Sequence, residues 1–268
     1  MKKSVYTIFS ILISALAAAQ CGTDEYNHSL VKDKLSEGQS YADYLEKIYN
    51  LKYDESVDLK TKKATRIIPV VFHVIHAYGD ENISKAQIED QLRVVNEDFQ
   101  RQNADASNTR DFFKSRAANF NIEFKLARIA PDGSYTEGIT RTYDPVNMIE
   151  NYEDGSSEAK SAVPPWDRNR YLNIWVVKRI ESSRAGTILG YAQLPRGPAS
   201  TDGIVMIHDR VGTIGIANSS GKGRTLTHEI GHWLGLYHPF QGGCSGSDGV
   251  DDTPPAAEAS YGCTASQN

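Results

Sequence analysis

An α+β fold is predicted, on three observations. A long β-branched run stands near residue 70, strand and helix periodicities follow it without regular alternation, and one helical stretch near residue 230 bears closely spaced histidines. A strictly alternating order would instead signal a parallel, doubly wound sheet.

Residues 66–76 (RIIPVVFHVIH) combine β-branched and aromatic side chains and read as a buried strand. Ser84 with Gln87 has the spacing of a capping box. Ile88, Leu92, Val95 and Phe99 then recur on one helical face, so a helix is expected from there. Ile122, Phe124 and Leu126 alternate as in a half-buried strand, and residues 171–177 (YLNIWVV) and 203–208 (GIVMIH) give two more. The stretch 132–167, rich in Gly, Ser and Pro, is expected to be irregular.

Upstream of this domain, Lys2 and Lys3 precede an apolar stretch and the small residues Ala17, Ala18 and Ala19, the pattern of a secretory signal peptide over residues 1–19. The apolar stretch is shorter than the roughly 20 residues of a membrane span. Residues 20–65 are polar and charge-rich, with Leu30, Leu35, Tyr44, Leu45 and Ile48 scattered through what read as short helices. They are expected to be a prosegment, which a secreted hydrolase needs to stay inactive before export. Lys60, Lys62, Lys63 and Arg66 offer a processing site at its end. The formal charge of −5 argues against nucleic acid as a partner, and loss of Lys2 and Lys3 strengthens that argument. Of three cysteines, Cys21, Cys244 and Cys263, one is left over in an oxidising compartment. Cys21 admits a lipid-anchored reading, against which Gln20 stands where a lipobox carries a small residue.

The chemistry lies in residues 225–240, TLTHEIGHWLGLYHPF, which contain H-E-x-x-H-x-x-G-x-x-H from His228. His228 and His232, four apart, stand one turn above the other on a helix face and can aim both imidazoles at one metal. His238, six residues further on, would point away on a continuing helix, so the helix must break; Gly235 can take the left-handed conformation that ends it. Trp233 and Leu234 are then expected to face the core. Three neutral imidazoles leave one zinc position for water, and Glu229 is placed to act as general base. A structural zinc would usually have four protein ligands, so this set suits hydrolysis better than scaffolding.

At this motif the chain resembles the metzincin clan of zinc endopeptidases, and HEIGHWLGLYHPFQGGC followed by DGVDDTPP resembles the pappalysin family, its small secreted bacterial members in particular. The stretches IIPVVFHVIH, YLNIWVV, ILGYAQLP and DGIVMIH extend the resemblance over residues 66–268. It implies a catalytic domain with a twisted mixed sheet above a horizontal cleft, cutting internal peptide bonds of proteins or peptides. The family's Met-containing turn and following tyrosine have no counterpart, since Met1, Met148 and Met206 all precede the zinc motif. A truncated domain is therefore expected. The alternative function is an inactive zinc-binding remnant or a secreted surface-binding protein. Cys244 and Cys263 have their partners downstream in the family, so here they are unpaired or joined to each other. The resemblance also implies calcium in the loop 247–253, where Asp248, Asp252 and the Thr253 hydroxyl supply hard oxygens and the Ser247 and Val250 carbonyls complete the shell. Metzincin zymogens with a cysteine switch carry a short Cys-Gly segment, which Cys21-Gly22-Thr23-Asp24 resembles. That makes Cys21 a candidate latency ligand in the fourth zinc position.

Overall fold

In the computed structural model the described residues are 20–32, 35, 40–41, 43–44, 65–151, 157–181, 188–246, 248–250, 253–254 and 256–259. The signal peptide expected at 1–19 and the basic run at 60–63 lie outside them. In chain order the main elements begin with β1 Gln20–Cys21, α1 Thr23–Val31, β2 Arg66–His76, α2 Lys85–Phe99, α3 Asp111–Lys114, β3 Ile122–Leu126, β4 Ile139–Tyr143 and β5 Ile149–Asn151. They continue with α4 Glu158–Ala162, β6 Leu172–Val177, β7 Arg179–Glu181, β8 Ile188–Ala192, β9 Ile204–Ile207 and α5 Arg224–Trp233.

The β-branched run forms the hub of a mixed sheet. β2 pairs in parallel with β3 and then β4 along one edge, and with β6 along the other. β9 continues the sheet parallel to β6, and β8 then runs antiparallel to β9. Every residue of β6 is buried because both sheet faces are covered, which is why LNIWVV shows no polar alternation. On one face Val70, Phe72, Ile174, Val176 and Met206 pack against Ile88, Leu92 and Val95 of α2 and Leu226 and Ile230 of α5. On the other, Trp175, Val177, Tyr191, Val205 and Ile207 are covered by Ala159 of α4 and Tyr26 of α1.

Two expectations are corrected. The stretch 132–167 is not wholly irregular: it contains β4, β5 and α4. Short strands such as Ile149–Asn151 are held by pairing with β7 rather than by their own propensity, so they leave little mark in the sequence. At α2, the Ser84 side chain accepts from Gln87 N at 3.1 Å as expected. The Gln87 side chain, however, turns inward and donates to Val211 O at 2.9 Å rather than closing a capping box. Gln91, one turn on, donates to Gly223 O at 2.9 Å and accepts from Gly212 N at 2.7 Å. These two buried amides fix the loop that feeds α5.

His73 on β2 is fully buried, with Nδ1 2.8 Å from the Thr140 hydroxyl and Nε2 3.1 Å from Asn173 Oδ1. Asn173 Oδ1 also accepts from Trp166 N, so Nε2 carries the proton and Nδ1 accepts. Burial lowers the His73 pKa to about 4. The unfolded chain therefore binds this proton first, near pH 6.5. The contribution is intact above pH 6.5 and is lost as pH falls toward 4. Urea midpoints measured across that window should drop in the wild type and drop less steeply in His73→Gln; equal slopes would refute it.

Candidate active site

α5 is fixed at both ends. At its start the Arg224 guanidinium pairs with Asp98 of α2 and with Asp105, and the Thr227 hydroxyl donates to Asp98 at 2.8 Å. Leu226 and Ile230 anchor its inner face in the core, so the intervening positions turn His228, Glu229 and His232 toward the cleft. At its end the helix stops as the histidine spacing requires. Gly235 has φ +101°, its N–H donates to His232 O at 2.8 Å and Leu236 N donates to Gly231 O at 2.9 Å, the bond pattern of a Schellman cap. Trp233 and Leu234 pack partly buried against the core, as expected.

The reversal returns His238 to its partners. His232 Nε2 lies 3.0 Å from His228 Nε2 and 3.2 Å from His238 Nε2. His232 Nδ1 stands 2.7 Å from Leu236 O, an orientation in which it donates and leaves Nε2 free for a metal. Burial lowers His232 to about 4, so its imidazole is neutral at pH 7, the ligand form. Because Ala at a positive φ costs about 1–2 kcal/mol, Gly235→Ala should lose about that much stability in urea and should release zinc to a competing chelator more readily than wild type. Unchanged zinc retention would mean that His238 does not depend on this cap.

Glu229 is 1 % exposed beneath Gly190 of β8, where an added Cβ would stand 3.2 Å from Glu229 Cγ. Burial raises its carboxyl to about 7, opposed by the Thr23 hydroxyl, which donates to Oε2 at 3.0 Å.

The N-terminal segment fills the cleft. β1 runs parallel to β8, Gly22 N donates to Gly190 O at 3.0 Å, and the Thr23 hydroxyl accepts from Ala192 N at 2.9 Å. Asn27 extends this contact, donating to Ala192 O and accepting from Leu194 N, both at 2.8 Å. The outer edge of β8 is thus satisfied by a short strand and two side chains. Cys21 Sγ lies 3.6 Å from Glu229 Oε2, and the ligand atoms of Cys21, His228, His232 and His238 all fall within 4.8 Å of one another. Asp24 Oδ2 stands 3.0 Å from His238 Nδ1. Cys21, Asp24, Leu189, His228, Glu229 and His238 line an open cavity of about 510 Å³.

Cys21 stood out in the sequence, whereas the roles of Thr23 and Asp24 beside it, and of Tyr26 and Asn27, did not. Thr23, Tyr26, Asn27 and Val31 form the buried face of α1, at helical spacing. Half of that stripe is polar, so an apolar periodicity search passes over it. In the loop expected to bind calcium, Asp248 Oδ1 accepts from Val250 N at 2.9 Å and Val250 O accepts from Thr253 N at 3.1 Å. Ser247 and Asp252 lie outside the described residues. Cys244 is an exposed free thiol, and Cys263 also lies outside the described residues.

Three converging imidazoles and a buried glutamate under one strand of a mixed sheet form the arrangement of metallopeptidases. The family model described as pregnancy-associated plasma protein-A (Peptidase_M43) matches residues 155–267. Mature mirolysin of Tannerella forsythia, solved with a cleaved peptide, is 41 % identical over 76 % of each chain, with TM-score 0.66. A mutant promirolysin from the same organism is 38 % identical, covers 92 % of this chain and 79 % of its own, and superposes with TM-score 0.73. An extracellular metalloprotease of Verticillium alfalfae is 32 % identical over 76 % of this chain and 62 % of its own length. The chain belongs to the pappalysin family of metallopeptidases, Peptidase_M43. It spans about three fifths of the length of the first curated relatives. Among the described residues no helix is long and apolar enough to cross a membrane.

Proposed function

We propose that this protein is a secreted zinc endopeptidase acting on proteins or peptides, held latent by residues 20–65, with His228, His232 and His238 as zinc ligands and Glu229 as general base. The observation that carries the reading is the convergence of three imidazole nitrogens and one sulfur within 4.8 Å beside a buried carboxylate. The donors suit the ion: a tetrahedral zinc about 2.0–2.1 Å from each nitrogen has nitrogen–nitrogen edges of about 3.3–3.4 Å, close to the 3.0 and 3.2 Å separations here. Bound zinc would acidify a water and polarise the scissile carbonyl. Glu229 Oε2 takes the water's proton and returns it to the leaving amine.

Latency follows from the same contacts. Cys21 supplies the fourth donor, where water would otherwise sit, and Thr23 holds the carboxylate that must accept the proton. The β8 edge that an extended peptide would pair with is already taken by β1, Thr23 and Asn27. Promirolysin covers 92 % of this chain against 76 % for mature mirolysin, which supports reading the N-terminal portion as a prosegment. The extracellular naming of the relatives supports the signal peptide. Placement of Cys21 inside the cleft favours the switch over a lipid anchor. A calcium ion in the 247–253 loop, held by Asp248, Asp252, the Thr253 hydroxyl and the Ser247 and Val250 carbonyls, is part of the proposal and would show as a melting temperature raised by calcium after chelation.

Elemental analysis should find one zinc per chain, and the processed protein should hydrolyse a denatured protein substrate until a chelator removes the metal. Absence of zinc ends the assignment of the site. Zinc without hydrolysis in the processed protein would favour the remnant.

A further inference from the structure

Tyr26 does more than fill space on α1. It is fully buried in a slot on the sheet face away from α5, between Tyr191, whose ring centroid lies 4.4 Å away, and Lys160 of α4. The Lys160 ammonium donates to the Tyr26 hydroxyl at 3.1 Å and to Thr201 O at 2.8 Å. It also stands 4.4 Å from the Tyr26 ring centroid and 5.5 Å from that of Trp175. Lys160 is itself 2 % exposed, so each of its donors needs a partner inside the protein. Close by, Glu150 is fully buried, accepting from Ala159 N at 2.9 Å and from the Tyr191 hydroxyl. The slot walls are residues of the sheet and α4, while the occupant belongs to the segment read as removable.

We propose that this slot is a binding site for a tyrosine side chain, with Tyr26 as its resident occupant, and that it opens to a tyrosine of a bound peptide when α1 lifts off. Two features select tyrosine. The aromatic and aliphatic walls take a six-membered ring, and the buried ammonium requires an oxygen acceptor at the ring's far end. Phenylalanine would fit the walls and strand the donor, and a site built around a hydroxyl discriminates strongly against the analogue that lacks one. The slot is also placed for a substrate. Tyr191 follows Gly190, which faces Glu229, so successive residues of β8 look to the catalytic face and to the slot. A peptide strand on that edge presents alternate side chains in the same two directions. The second half of the proposal rests on the prosegment reading above, whereas recognition of the phenol does not.

The test uses the whole, metal-loaded chain. In Tyr26→Gly the slot is vacated in place, and calorimetry should show N-acetyltyrosinamide binding ~10-fold or more tighter than N-acetylphenylalaninamide. Wild type, whose slot is filled, should bind neither, and adding Lys160→Met to Tyr26→Gly should erase the preference. Equal binding of the two amides, or equal binding by wild type, overturns the site. Should the glycine variant fail to fold, Tyr26→Phe serves, with the rate of maleimide labelling at Cys21 reporting how firmly the segment is docked. Labelling about tenfold faster than wild type is expected if the lost hydrogen bond held the segment, and an unchanged rate overturns the proposal. Neither readout requires turnover, so a failed endopeptidase assay and a failed tyrosine site are separable.

Discussion

Glu229→Gln is expected to keep its zinc and to lose hydrolysis by about 10²–10⁴-fold, the range associated with one positioned general acid–base group. Glu229 is buried, and its side chain contacts Thr23 and Cys21. His232 is oriented by Leu236 O and the cap at Gly235 returns His238, neither through Glu229, so the three nitrogens keep their places when the carboxylate becomes an amide. Glutamine retains the shape, but it cannot take a proton from water at neutral pH. The comparison should be made on the processed form, with kcat measured beside zinc content. A variant that keeps both zinc and turnover removes Glu229 from the role of base. A variant that loses zinc makes the carboxylate part of the metal's support instead.

The zinc motif was legible because its chemistry is local. Helical spacing aligns His228 and His232, and one glycine with φ +101° returns His238, so eleven consecutive residues determine the donor set. The long strand Arg66–His76 was legible for a related reason, since its apolar run must be covered on both faces. What the sequence hid depends on partners far along the chain. Thr23 and Glu229 are separated by 206 positions, and nothing in either neighbourhood announces the other. β4 and β5 exist because β2 and β7 offer edges to pair with, and Gly190 acquires its meaning only from the carboxylate beneath it. Gln87 shows the same limit at short range. Its spacing from Ser84 fits a capping box, but two carbonyls of a remote loop, His208 O and Val211 O, compete for its amide and win.

Removing the Cys21 thiol is expected to relieve latency only in part, and removing the Thr23 hydroxyl with it to relieve it much further. The cleft is blocked by Cys21 among the imidazoles, by Thr23 on Glu229, and by β1 and Asn27 on the β8 edge. Cys21→Ala opens the fourth position to water, yet Thr23 still donates to the carboxylate that must act as base, and α1 still covers Ala192 and Leu194. In Cys21→Ala the uncleaved proenzyme should therefore gain at least ~10-fold in activity while staying well below the processed enzyme, since a buried hydrogen bond to a charged group is worth about 1.5–3 kcal/mol. Adding Thr23→Val keeps the volume and deletes the donor, so that the carboxylate of Glu229 is free to accept. It also leaves Ala192 N without its acceptor, which loosens α1 from the edge. The double variant should approach the processed enzyme, with a residual deficit left by β1 and Asn27 on the β8 edge. X-ray absorption at the zinc edge of the wild-type proenzyme should show one sulfur among nitrogen ligands. If Cys21→Ala alone is as latent as wild type and no sulfur is seen, the thiol has no part in latency. If the single and double variants are equally active, Thr23 is a structural residue of α1 and the carboxylate was never held.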